Sequence, residues 1–488
     1  MTHIDFVEQS LRDGQQSLWG MRMRAYEAAD TLPYLAEGGY RTIDLTGAGM
    51  FTVQLREYFD DPWATLDFLV AGLPGNELRS GLRTISAVGF AHTPQVVLDL
   101  WIQTLIKHGA TSFWLYDCLY DMEIMKHMVG VVRDAGGQPV PAIMYGYTSV
   151  HDDAFFAERA SQMATWDGVE SIYFEDAAGV LKPERARTLL PAIRDAVGQT
   201  PLEMHAHNTT GLAQHNYIIA LESGFNRLHT ASRPLANGAS LPSTEMMADI
   251  VEYLGFTHSL DRSTFAPVAE ILTRVAKDGG HLLGVPAEYD PRIYDHQLPG
   301  GMTGTLINQL GRHGMGDRLP EVLAAIPQVR RDLGEPIMAT PFSQFVGIQA
   351  VLNIVTGDPY SIVPDEVVHY VLGHYGPVAG TMNQEVLDRI LSSPRAKALE
   401  TWTRPDPSLA ELRSHFSPGI SDEEFLLRYM MSNEEVDAMI SKGPIRTDPR
   451  RSANAIVDAV TDLIAERSRA TSFSVATPEY SVTLAKQA

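Results

Sequence analysis

Leu202-Glu-Met-His-Ala-His-Asn-Thr-Thr-Gly211 is a short strand-forming run that ends in two alternating histidines and a turn. Side chains on a strand repeat every two residues, so His205 and His207 share a face and can share a metal ion. Taken alone, the pattern is weak, because surface and core histidines also alternate by chance. Its place in the chain gives it weight. Similar runs occur at Ile4 to Gln9, Thr42 to Thr46, Leu82 to Ser86, Phe113 to Cys118, Val140 to Tyr147, Val169 to Glu175 and Arg227 to Ala231. Between them lie amphipathic segments such as Thr93 to His108 and Pro183 to Val197, which read as helices. Eight strand-helix units predict a closed (β/α)₈ barrel over residues 1–257, a metal-binding TIM-barrel domain of the α/β class. An open doubly wound sheet uses the same alternation. No Gly-x-Gly-x-x-Gly follows the first run, which removes one version of it, and the count of eight favours the barrel.

Beyond Thr257 the strand signals fade and helical periodicity runs to about Arg467, broken by Pro and Gly clusters at Leu298-Pro-Gly-Gly-Met302, Gly334 to Pro341 and Gly357-Asp-Pro359. This predicts a helical C-terminal domain over 258–468. The tail, 469–488, contains Ser472-Phe-Ser-Val-Ala, which reads as a short strand or a loose end. The 488 residues are 44% apolar and carry a formal net charge of -22, which suits a large soluble core and argues against nucleic acid and anionic membranes as partners. One cysteine, Cys118, excludes an intrachain disulfide and a thiolate-rich zinc site, and reads as a core residue. No signal-peptide pattern or spanning apolar run is present, so a cytoplasmic protein is expected.

In a barrel the active site lies at the carboxyl ends of the strands. There the first run leads into Ser10-Leu-Arg-Asp-Gly-Gln-Gln-Ser17, the third carries Arg83, the fourth Asp117, the sixth Glu175 and Asp176, the seventh the histidines, and the eighth runs into Arg233 to Ser243. Asp13, His205 and His207 make a two-nitrogen, one-oxygen set for Zn²⁺, Mn²⁺ or a similar divalent ion. Arg12 and Arg83 suit an anionic substrate, since a guanidinium holds a carboxylate with two parallel hydrogen bonds. A ring of satisfied ion pairs, with Arg12 and Arg83 bound to Asp13 or Asp117, is the bland alternative.

Ser10-Leu-Arg-Asp-Gly-Gln-Gln-Ser-Leu18 with Met21-Arg-Met-Arg24 resembles the opening of the carboxyltransferases of biotin-dependent enzymes: transcarboxylase 5S subunits, oxaloacetate decarboxylase α subunits and the matching domain of pyruvate carboxylase. The resemblance continues through Asp61-Pro-Trp63, Arg83 to Phe90, Gly179-Val-Leu-Lys-Pro183, the histidine pair, Leu298 to Met302, Thr340 to Asn353 and Glu423 to Met430, nearly the whole chain. It implies a metal-centred barrel framed by a helical domain. It also implies that Asp13, His205 and His207 ligate the metal, and that Arg12, Gln16 and Arg83 hold a 2-oxo acid.

Two positions depart from the family. Phe174-Glu-Asp-Ala-Ala-Gly179 has Glu175 where the family has a lysine carboxylated toward the metal, so the carboxylate is encoded directly, on a side chain about three bonds shorter. Glu175 is therefore a candidate both for catalysis and for the metal. Gly238-Ala-Ser-Leu-Pro-Ser-Thr-Glu245 has Ala239 where the family has a threonine that relays a proton to biotin, leaving Ser240 as the neighbouring hydroxyl. No biotin-attachment hairpin is encoded, so any biotin would come on a separate carrier protein. The expected activity is carboxyl transfer or decarboxylation next to the carbonyl of a small carboxylate of the pyruvate or oxaloacetate type, by a homodimer, with a biotin-independent form left open. Aldol-type lyase or condensing chemistry, and a non-catalytic carboxylase subunit, are the alternatives.

Overall fold

The computed structural model describes residues 2–449, apart from 88, 90–91, 301, 303–305, 307–309 and 312–313, together with 472–476 and 481–485. Eight parallel strands close on themselves: β1 (Asp5–Glu8), β2 (Thr42–Gly47), β3 (Glu77–Arg83), β4 (Ser112–Tyr116), β5 (Gln138–Met144), β6 (Ile172–Asp176), β7 (Leu202–Ala206) and β8 (Arg227–Thr230). β8 pairs back onto β1 through Asp5↔Arg227 to Glu8↔Thr230, which completes the expected barrel.

Helices cover the outside because their sequences carry one apolar stripe. In Met122–Asp134 the buried residues are Met125, Met128, Val129 and Val132, the spacing of one helical face. Asp121 caps that helix by accepting the Ile124 N–H, and Asp61 caps Pro62–Ala71 through Trp63 and Ala64. Each fully buried aliphatic side chain on such a face contributes about 1.5–3 kcal/mol relative to its exposed state.

The third strand differs from its expected bounds of Leu82 to Ser86, and runs over Glu77–Arg83. Arg79, Ser80 and Gly81 carry no apolar pattern and fall outside the expected strand, but the barrel interior accommodates them. Arg79 meets Glu203 across the barrel, and Gly81 lies under the Trp114 indole, where any β-carbon would collide with the ring.

The barrel's base is plugged by charge. Glu203, on β7, accepts from Arg79, from Arg227 at 3.1 Å and from the Ser171 hydroxyl, and all four side chains are buried. Burial would raise the Glu203 carboxyl, yet Arg79, His229 and Arg227 hold it well below the usual carboxylate range.

After the barrel the chain is helical, as expected, with helices at Phe265–Gly279, Leu319–Asp332, Phe342–Thr356, Asp365–Val371, Gln384–Leu391, Asp422–Met430 and Asn433–Lys442 among others. The stretch from 450 to Arg467 lies outside the described residues. Of the two readings of the tail, the strand is found: Ser472–Ala476 pairs antiparallel with Ser481–Ala485. Among the described residues no helix is long and apolar enough to cross a membrane.

Candidate active site

The mouth of the barrel begins with a widened turn. Immediately after β1, Ser10–Gly14 forms a π-helix, a geometry that recurs at functional sites. It turns Arg12 and Asp13 into the mouth, where both are buried. His205, on β7, and His207, just past its end, bring their Nε2 atoms 3.3 Å apart, and these lie 3.6 and 3.5 Å from the Asp13 carboxylate. Among the described residues, these three form the one group of potential ligands whose atoms all lie within 4.8 Å of one another. Ligand atoms about 2.1 Å from a tetrahedral ion sit about 3.4 Å apart, so the three fit a zinc-sized divalent cation.

The protonation state suits that fit. His207 Nδ1 lies 2.6 Å from the Ala239 carbonyl, which can only accept, so Nδ1 carries a proton and Nε2 is the nitrogen turned toward Asp13 and available to a metal. Burial would raise the Asp13 carboxyl, but Arg12, His207 and His205 hold it well below the usual range. Burial likewise keeps His205 well below the ordinary histidine range, against the pull of Asp13. The site therefore sets an ionised carboxylate against a His205 ring that burial keeps neutral.

Arg12 bonds Asp13 at 2.9 Å and Asp44 at 3.2 Å, and its guanidinium lies over the Trp114 ring at 4.9 Å. Its Nη2 is buried and has no hydrogen-bond partner. The ion pair with Asp13 realises part of the bland alternative, yet it leaves this donor over. Glu175, on β6, is buried, and its Oε2 also lacks a partner. Burial pushes its carboxyl up to about 8; Arg12 opposes this, while Asp13, Asp44 and Asp176 add to it. Glu175 is not part of the compact ligand group.

The remaining residues singled out in the sequence lie as follows. Arg83 ends β3 and donates to the Gly89 carbonyl at 3.0 Å. Gln16 sits half-buried on the short helix Gln15–Trp19. Ser240 is fully buried, and its hydroxyl donates to the Leu235 carbonyl at 2.6 Å. Asp117 holds the turn after β4, accepting from Leu119 N–H at 2.7 Å and from the Thr84 hydroxyl. Gly300, at the start of a helical turn, lies directly over Ala239, and a β-carbon at Gly300 would run into the alanine methyl. The helical region thus touches the residue whose carbonyl orients His207.

Four neighbours of the site were not singled out in the sequence. Trp114 and Tyr173 stack at 5.1 Å, Tyr173 Oη lies 2.7 Å from His205 Nδ1, and His229 lies 3.3 Å from the same nitrogen. Asp44 holds Arg12 from β2. A signal did exist for Glu203, which shares the period-two face of His205 and His207.

Comparison with known proteins adds the following. Residues 293–448 match the conserved carboxylase domain family, and residues 115–272 match the HMGL-like family. The chain is 31% identical over 389 residues to a pyruvate carboxylase subunit of Methanocaldococcus jannaschii, an alignment covering 80% of this chain and 68% of that one. It is 30% identical over 383 residues to the methylmalonyl-CoA carboxyltransferase 5S subunit of Propionibacterium freudenreichii, covering 76% and 74%. Its fold matches the carboxyl transferase domain of Rhizobium etli pyruvate carboxylase with a TM-score of 0.81 at 24% identity, over 92% of this chain and 78% of that one.

Proposed function

Since the chain belongs to the carboxyltransferase family of biotin-dependent carboxylases, we propose that it transfers or removes a carboxyl group at the carbon next to the carbonyl of a small 2-oxo acid, of the pyruvate or oxaloacetate kind. The observation that carries this reading is the partnerless Arg12 Nη2, a buried cationic donor beside the Asp13, His205 and His207 cluster. A desolvated guanidinium N–H calls for an anionic acceptor, and a substrate carboxylate supplies one. Arg83 and Gln16 would complete the grip from β3 and from the helix after β1.

Asp13, His205 and His207 would hold a divalent ion such as Zn²⁺ or Mn²⁺. When bound, it supplies Lewis-acid stabilisation of the enolate oxygen left by loss of the carboxyl group. Glu175, whose carboxyl burial raises, would keep a proton on Oε2 near neutral pH and deliver it to the enolate carbon. Trp114 and Tyr173, buried and stacked beside Arg12 and His205, would form an apolar wall to the site.

A biotin-independent form of the reaction is favoured by one observation. Ala239 has no hydroxyl, and the Ser240 hydroxyl is engaged with Leu235, so neither side chain is set to relay a proton to carboxybiotin. The competing arrangement, a separate biotin carrier protein as partner, remains the family's own. An aldol-type reaction is not favoured, because the relatives are a carboxylase subunit and a carboxyltransferase. A non-catalytic subunit would have no use for a buried ligand cluster. We further propose a homodimer, to be checked by sedimentation velocity.

Oxaloacetate decarboxylation and pyruvate carboxylation from carboxybiotin, each assayed with and without avidin, test the reading. Avidin-insensitive turnover of oxaloacetate that disappears in the His205→Ala, His207→Ala double variant is expected. Turnover that requires a purified biotin carrier would return the protein to biotin-dependent chemistry, and metal-free full activity would end the metal assignment.

A further inference from the structure

A column of polar groups runs through the barrel interior from the charged base to the candidate metal ligands, and the ionised carboxylate at its foot sets the hydrogen-bonding role of the imidazole above it. At the bottom, Glu203 is ionised between Arg79 and Arg227, so it can only accept. His229 Nε2 lies 2.7 Å from its Oε2 and must therefore carry the proton. A neutral imidazole with its proton on Nε2 has a lone pair on Nδ1.

The amide of Gln9 agrees with this assignment. Its Nε2 lies 2.9 Å from His229 Nδ1 and 3.2 Å from Asp44 Oδ2, two acceptors that together use both amide hydrogens. Flipping the amide would set its oxygen against a carboxylate and a lone pair.

The same Nδ1 of His229 faces His205 Nδ1 at 3.3 Å, while Tyr173 Oη approaches His205 Nδ1 at 2.7 Å. With a lone pair below it, His205 is best satisfied with its proton on Nδ1, shared between the tyrosine oxygen and His229. Its Nε2 then has a lone pair directed toward Asp13 and His207. His207 reaches the same state by a different route, through the Ala239 carbonyl. Two lone pairs 3.3 Å apart beside a carboxylate make an arrangement that a cation relieves.

We infer that His229 is a positioning residue for His205: Glu203 fixes its proton on Nε2, and its unprotonated Nδ1, an acceptor shared between Gln9 and His205, keeps the His205 proton on Nδ1, freeing His205 Nε2 for a divalent ion. This rests on the metal reading of Asp13, His205 and His207 proposed above. It goes beyond that reading by assigning a role to two residues that touch neither substrate nor ion.

The test is Co²⁺ and Zn²⁺ affinity of the full chain by chelator competition, with the Co²⁺ absorption spectrum as a second readout. His229→Leu should weaken affinity about 10- to 100-fold, the usual effect of losing a partner behind a metal-bound histidine. His229→Asn offers an amide oxygen near the Nδ1 position, which the Gln9 amide also favours, and should recover most of the loss. Parental affinity and spectrum in His229→Leu would overturn the inference while leaving the metal site standing. Unchanged metal binding by the His205→Ala, His207→Ala variant would instead overturn the metal reading, and this inference with it. Nitrogen-15 chemical shifts of the histidines in the unmodified, Zn²⁺-loaded protein give an answer that needs no variant to fold. Protons on His229 Nε2 and His205 Nδ1 support the assignment, and a proton on His229 Nδ1 refutes it.

Discussion

Glu175 shows how one residue couples the site to pH. In the metal-free protein its folded pKa of about 8 lies above the ordinary value of 4.5, so the fold binds an extra proton between the two. The stability tied to that proton is fully present below about pH 4.5 and is lost as pH rises through about 8. Glu175→Gln cannot ionise, so between about pH 6 and about pH 9 its unfolding free energy in urea titrations should fall less than the parent's, by an amount on the order of a few kcal/mol. Parallel declines in the two proteins would clear Glu175 of the effect. Arg83 carries a different expectation: Arg83→Lys keeps the charge but loses the forked pair of donors, and kcat/KM should drop roughly 10- to 100-fold. An unchanged value would take Arg83 out of the substrate grip. Asp13, His205 and His207 were legible in sequence because strand period and strand-end position both pointed to them. Trp114, Tyr173 and His229 were not, because each acquires its meaning from partners on strands far away in the chain.

Strands with β-branched or aromatic runs, such as β4 and β6, could be read nearly in place, with errors of a few residues at their ends, and β7 was placed by its alternating histidines. β3 was displaced because Arg79, Ser80 and Gly81 lack any apolar pattern, and only the closed barrel explains why a strand tolerates them. Gly81 pairs in register with Trp114, and the bare backbone there makes room for the indole that lies beneath Arg12. Gly81→Ala should therefore displace the indole and cost about 1–3 kcal/mol of stability, the usual range for overpacking a closed interior. Urea unfolding together with tryptophan fluorescence reads both effects. A neutral substitution would show that the ring has room to move.

The barrel and the helical region are joined by contacts that concentrate on a few residues. Glu423 accepts from Lys107 at 2.5 Å and approaches His108 at 3.2 Å, while its carbonyl takes the Trp63 indole N–H. Lys442 reaches Asp60 at 2.6 Å from the end of the next helix. Because these ties are partly exposed, each is worth about 1 kcal/mol or less. Glu423→Ala should accordingly speed amide exchange several-fold in residues 422–442 and leave the barrel strands unchanged. Equal protection in both proteins would mean that apolar packing alone fastens the region. The division into barrel and helices was legible because hydrophobic period changes near Thr257. The docking contacts were not, since they join positions more than 300 residues apart.

The charged plug at the barrel's base has a consequence for how the strands find one another. Arg79 faces inward while Leu78 and Leu82 of the same strand are buried against the outer helices or within the wall, and Glu203 waits across the lumen. A slip of β3 by a single residue would turn Arg79 out among apolar side chains and strand Glu203 without its principal counterion. Isolating a buried charge in this way costs about 3–5 kcal/mol. An aliphatic lumen would punish the same mistake far less, since one leucine replaces another with little loss. The plug thus acts as a key cut for one alignment, setting a free-energy cost against any other closure of the barrel.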